Sequence, residues 1–226
     1  MGAEAATVVK KRERIVVKLG TRVVLHQSGQ ANGTVLFPLA QQISQLRSEG
    51  TQVVIVSSGA VGCGRAILAR SNKGRGGVDE TLALKQALAA LGQPELMQVW
   101  SNLFSYFGAP VAQVLLTRDD LRSRERYLNA SHTVRTLLEV GIIPIINEND
   151  SVATSEIKFG DNDILACLVG GLVDTDVVYN LTQAPGLLKG MESSEVVEEV
   201  KKTLDPEERE QLRQAMSYGC IQLATQ

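Results

Sequence analysis

Residues 146–163, INENDSVATSEIKFGDND, set Glu148, Asp150, Glu156, Asp161 and Asp163 among Asn147, Asn149 and Asn162, directly after the apolar run GIIPI. Carboxylates accept from cationic groups, and Asn side chains both donate and accept. Histidine and cysteine, the usual nucleophiles and metal ligands, are absent from the stretch. Two glycine-bearing stretches add the opposite chemistry. Lys18-Leu19-Gly20-Thr21 puts one positive charge beside a glycine, and Ser57-Ser58-Gly59-Ala60-Val61-Gly62 is a small-residue loop. Glycine loops let the backbone approach an anion, helix N-termini add N–H donors, and Lys18 supplies charge where it could meet phosphate. SSGAVGCG is neither a Walker loop, since no GK[ST] follows, nor GxGxxG, and turn geometry accounts evenly for each glycine taken singly.

These residues must sit at the ends of strands. RIVVKLG (14–20), QVVIVSSG (52–59), APVAQVLLT (109–117), GIIPIIN (141–147) and DVVYNLT (176–182) are short apolar β-rich runs, suited to strands buried on both faces of a parallel sheet. Helical segments separate them. LFPLAQQISQLRSEG places Leu39, Ile43 and Leu46 on one face and ends at Gly50. TLALKQALAALG predicts a helix stopped by Gly92, with Pro94 opening the next, QPELMQVWSNLFSYFG. RERYLNASHTVRTLLEVG predicts another, ending at Gly141. The alternation predicts an α/β fold, a three-layer α/β/α sandwich with a mainly parallel central sheet. Ligands of such sheets bind beyond the carboxyl ends of the strands, where the polar stretches fall.

The composition is 44% hydrophobic and 21% charged over 226 residues, with 4% aromatics and a net charge of −2. It suits an aliphatic core and gives no global pull toward nucleic acid or an acidic membrane surface. No run reaches the roughly 20 apolar residues of a membrane span. Cys63, Cys167 and Cys220 form no CxxC pair and read as free thiols; His26 and His132 lack metal-ligand spacing. Residues 1–13 read as a flexible leader without a signal-peptide core. SNKGRGG (71–77) reads as a mobile loop, and 191–226 as a charged helical segment, with Asp205, Pro206 and Glu208 marking a helix start.

Taken together, the strand ends resemble the amino acid kinase family. VVKLGT, VSSGAVGCGR, LKQALAALGQPELMQVW, QVLLTRDDLRSRERYLNA, IPIINENDSVATSEIKFGDND and LTQAPGL are similar to its successive blocks, in order, over about 14–188. NEND followed by GDND is the most discriminating pair. The resemblance implies a kinase domain over 14–190 and a glutamate-phosphorylating branch. ATP, with Mg²⁺, would phosphorylate the side-chain carboxylate of L-glutamate, giving γ-glutamyl phosphate, the first step toward proline. It also implies a cytoplasmic homo-oligomer inhibited by proline; composition and spacing add the expectation of no nucleic-acid or membrane partner and no protein-held metal. By the resemblance, Asp150, Asn162 and Ser58 hold glutamate, with Asn147 and Gly59 nearby. Lys18 neutralises the transferring phosphoryl group, helped by Gly20 and Thr21, and Asp163 orients lysine. Thr182 and Gln183 lie beside the nucleotide.

Two departures stand out. Gln183 takes the place of the family's Asp after Thr, and nothing after Leu188 matches the family's glycine-rich segment ending in a nucleotide-contacting lysine. The RNA-modification-type C-terminal domain of many members also has no counterpart. Two expectations follow: a glutamate-phosphorylating enzyme with slow turnover, or a non-catalytic amino-acid-binding relative on the same fold.

Overall fold

The apolar runs form β1 (Arg14–Leu19), β2 (Gln52–Ser57), β3 (Val111–Leu116), β4 (Ile143–Glu148) and β5 (Val177–Leu181). The computed structural model describes residues 13–71, 81–153 and 162–182, and the backbone of Leu223–Ala224. The helices between the strands are α1 (Thr21–Val24), α2 (Gly33–Ser48), α3 (Ala60–Ser71), α4 (Leu82–Ser105), α5 (Arg118–Arg122), α6 (Arg124–Glu139) and α7 (Asn162–Val173). The sheet runs β3-β4-β2-β1-β5, all parallel. A two-residue strand, β6 (Leu223–Ala224), pairs antiparallel with Val177 and Val178. That pairing corrects part of the expectation of a helical 191–226 segment: β5 offers an open edge, and an extended backbone can satisfy it where a helix cannot. The rest of that segment lies outside the described residues, as do Gln183, Cys220, the 1–12 leader and 72–77 of the glycine-rich loop.

Strand alternation splits the core into two layers. Ile15, Val17 and Leu19 of β1, Val53 and Ile55 of β2 and Ile143 and Ile145 of β4 pack with Leu36, Ala40 and Ile43 of α2 and Leu96, Trp100 and Phe104 of α4. Val16, Val54, Val56 and Ile146 face the other way, onto Val134 and Leu138 of α6 and Leu165, Val169 and Leu172 of α7. Every residue of β2 and β4 is buried, as the continuous apolar runs require. The result is the expected three-layer sandwich.

One expectation fails. The chain does not break at Gly92; α4 runs unbroken from Leu82 to Ser105 through Gly92 and Pro94. Gly92 is a contact residue rather than a helix end. A Cβ there would fall on the carbonyl oxygen of Ala60 and the amide of Gly64 in α3, and a Cβ on Gly64 would fall on the Leu88 carbonyl. The two glycines let α3 and α4 touch backbone to backbone, a contact no other residue type would allow at these positions.

Gly92→Ala should therefore destabilise the fold by about 1–3 kcal/mol through overpacking. The loss is read as a lower urea midpoint at unchanged m. A glycine that merely weakened a helix would give the opposite sign, a gain of about 1 kcal/mol on replacement by alanine.

Candidate functional site

The polar residues gather where the strands end. Lys18 is the penultimate residue of β1, and alternation points it at the α6/α7 layer. It is 4% exposed. Its Nζ forms an ion pair with Asp163 Oδ1, both side chains being almost wholly buried. Asp163 lies in the first turn of α7, where the helix dipole favours an acid. Asn180, the parallel neighbour of Lys18 on β5, donates Nδ2 to the same Asp163 oxygen at 3.0 Å. Two donors thus hold Asp163 Oδ1, and the carboxylate holds the ammonium.

Beside this pair, β2 and β4 are hydrogen-bonded only at Ile55–Ile145 and Val56–Ile146. Beyond those rungs α7 offers Asn162, whose Nδ2 donates to Ser58 Oγ at 2.8 Å and to Asn147 Oδ1 at 2.9 Å. Asn147 is 2% exposed and donates its own Nδ2 to Gln93 Oε1 of α4 at 3.0 Å. The Ser58 turn is held from the same helix: Trp100 Nε1 donates to Ser57 Oγ at 3.0 Å, both residues fully buried. Gly59 follows at φ 127°, a conformation open to glycine, and turns the chain into α3.

Asp150 sits in the turn after β4, where Ala153 N–H donates to Asn149 O at 3.2 Å. It lines a cavity of about 230 Å³ with Gln93, Gln113, Glu148 and Ala60. Gln93 thus borders the cavity on one side and reaches Asn147 on the other. Gly20 caps α1 next to Lys18, and its N–H is engaged by Leu181 O at 3.3 Å rather than directed into the loop. Thr21 is exposed, and Thr182 follows directly on β5.

The structure therefore brings Lys18, Asp163, Ser58, Asn147 and Asn162 together at the carboxyl edge of the central strands, with Asp150 on the adjoining cavity. Sequence reasoning missed Gln93, Ser57, Trp100 and Asn180. Gln93 had a signal: it falls on the i, i+3, i+4 stripe of Ala89, Gly92, Leu96 and Trp100, and a polar residue on a buried stripe needs a partner. Cys167, one turn after Asp163, is no candidate nucleophile. Burial, with the Asp163 charge, pushes its thiol up to about 11 against the pull of Lys18, and burial does the same to Cys63.

The sequence model of the amino acid kinase family matches residues 13–219. The chain is similar to curated proteins named glutamate 5-kinase. It is 45% identical to that of Caldanaerobacter subterraneus subsp. tengcongensis, over 82% of this chain and 50% of that one. It is 46% identical to that of Moorella thermoacetica, over 81% and 47%, and 48% identical to that of Trichormus variabilis, over 76% and 46%. The chain spans about half the length of these relatives. Among solved structures, a UMP kinase from Ureaplasma parvum shares the fold at TM-score 0.53 and 12% identity, over 78% of this chain and 71% of that one.

The buried ion pair has a measurable consequence. Asp163→Ala leaves the Lys18 ammonium without its carboxylate and should cost about 3–5 kcal/mol of stability, while adding Lys18→Met should recover most of the loss. Urea denaturation of the single and double variants checks this; a double variant no more stable than Asp163→Ala would show that the pair is not what holds the two elements together.

Proposed function

This chain belongs to the amino acid kinase family, and from that premise we propose that it transfers the γ-phosphoryl group of ATP to the side-chain carboxylate of L-glutamate. The observation that carries the reading is the meeting, at one sheet edge, of a buried oriented lysine and a cluster of serine and amides. The 45–48% identity to glutamate 5-kinases supports the choice of substrate. The γ-carboxylate of glutamate is ionised at neutral pH, so no protein base is needed to make it a nucleophile. The obstacle is repulsion between that carboxylate and the phosphate oxygens. Catalysis is therefore positioning plus neutralisation of charge.

In this reading Lys18 meets the transferring phosphoryl group, and Asp163, fixed by Asn180, aims it. Ser58, Gly59, Asn147 and Asn162 hold the amino acid, and Asp150 pairs with its ammonium. Nucleotide lies near Gly20, Thr21, Thr182 and Gln183. Magnesium would come with the nucleotide and would supply charge neutralisation at its phosphates. Asp163 Oδ1 is engaged by Lys18 and Asn180. Feedback inhibition by proline, a homo-oligomeric state and a cytoplasmic location belong to the same proposal. Among the described residues no helix is long and apolar enough to cross a membrane.

The test is ATP-dependent formation of γ-glutamyl hydroxamate from L-glutamate and hydroxylamine. Lys18→Met should lower turnover by about 10²–10³, the loss typical of one transition-state donor. Because Lys18 is buried against Asp163, the rates must be compared at a temperature where the variant is folded. Asp150→Ala should weaken L-glutamate by about 1.5–3 kcal/mol, the worth of a hydrogen bond to a charged group, with MgATP affinity held. Hydroxamate formed at the same rate without glutamate, or calorimetric glutamate affinity unmoved in Asp150→Ala, would overturn the respective assignment.

A further inference from the structure

The amide side chains between α4, the middle of β3 and the end of β4 form a relay with a fixed direction. A carboxamide oxygen only accepts and its nitrogen only donates, so each bond decides which end the next amide must present. The direction is set by a group that cannot turn over: the backbone N–H of Glu148 donates to Asn147 Oδ1 at 2.9 Å. Asn147 must then turn Nδ2 toward α4, where Gln93 Oε1 accepts it at 3.0 Å. Gln93 has only Nε2 left for β3, and gives it to Gln113 Oε1 at 3.1 Å. On the other side Asn147 Oδ1 can only accept, so Asn162 must supply Nδ2, which it shares with Ser58 Oγ.

Two consequences follow for any ligand. Asn162 is obliged to present its oxygen, an acceptor, away from the relay. Ser58 has already accepted a hydrogen bond, so its hydroxyl proton is what it has to offer. Among the described residues neither atom has a further partner. An acceptor oxygen and a hydroxyl donor side by side match the two ends of an amino acid, ammonium on Asn162 Oδ1 and carboxylate on Ser58 Oγ.

We propose that Gln93 is a positioning residue of this site, holding Asn147 in the orientation that obliges Asn162 to accept and Ser58 to donate. The proposal rests on the reading that this cluster binds L-glutamate. Gln93 is 8% exposed and Asn147 2%. Without the Gln93 oxygen, Asn147 Nδ2 is left buried and unpaired, the side chain is held from its Oδ1 end alone, and its alignment with Asn162 loosens.

The test is calorimetric titration of the whole chain with L-glutamate and, separately, MgATP. In Gln93→Met, of similar length but without either polar end, glutamate should bind about tenfold more weakly while MgATP affinity moves by less than about twofold, the shift expected for one buried hydrogen bond. Gln113→Met, at an exposed position on β3, removes only the outer acceptor and should weaken glutamate less, in the same direction. It decides the matter if Gln93→Met fails to fold. A wild-type chain that does not bind L-glutamate overturns the underlying reading. A wild type that binds, with folded variants binding as tightly, overturns the relay alone. Equal weakening of glutamate and MgATP makes Gln93 a structural residue and overturns it as well.

Discussion

A lysine ammonium buried at the end of β1 is the constraint around which the rest is arranged. An ammonium removed from water costs several kcal/mol unless a carboxylate and further hydrogen bonds compensate. The compensation comes from a helix that begins at the right place: α7 starts at Asn162, so Asp163 falls in its first turn, over the end of β1. That placement requires the crossover from β4 to β5 to pass over β2 and β1, and it does, with α7 packed on Val16, Val56 and Val178. β5 then lies beside β1 in a register that sets Asn180 against Lys18. Fold topology and the local ion pair are in this sense one arrangement.

The opposite layer fixes the other half of the site. Alternation sends Ser58 toward α7 but Ser57 and Asn147 toward α4. Asn147 meets Asn162 because β2 stops pairing with β4 after Val56, opening a gap at the strand ends. α4 supports both sides of that gap, with Gln93 on Asn147 and Trp100 on Ser57, seven residues and two turns apart on one buried stripe. Both positions follow Gly92, whose contact with the α3 backbone fixes where this stretch of α4 sits. The glycine contact with α3 therefore bears on the site although neither glycine touches it.

Much of this was legible because it depends on local pattern. Five apolar runs became five strands, and the polar stretches fell at their carboxyl ends, since a parallel sheet buried on both faces leaves polar residues nowhere else to go. What escaped depends on three-dimensional contact. Glycine before proline reads as a helix end by propensity, and only the backbone of α3 lying against Gly92 overrides it. Gly20 reads as an anion donor until Leu181 O is found beside its N–H. Gln93 and Asn180 carry no local signature of function; their roles appear once α4 lies under β4 and β5 beside β1.

The two layers also divide the chemistry. The α7 side is charged, with its ammonium and carboxylate buried together, and its geometry is set by electrostatics. The α4 side joins a line of amides and an indole to the cavity that Asp150 and Glu148 also line, and the geometry of the amides is set by hydrogen-bond polarity that originates at one backbone N–H. A buried charge pair tolerates small rotations because Coulomb attraction is not strongly directional, whereas an amide turned over exchanges donor for acceptor. In the proposed reaction the charged side would hold the group whose charge redistributes during phosphoryl transfer. The amide side is suited to telling an ammonium from a carboxylate. Asn162 and Asp163, consecutive at the start of α7, join the two: one residue bonds Asn147 and the next the lysine, so a shift of that helix start would disturb the amide bonds and the ion pair together.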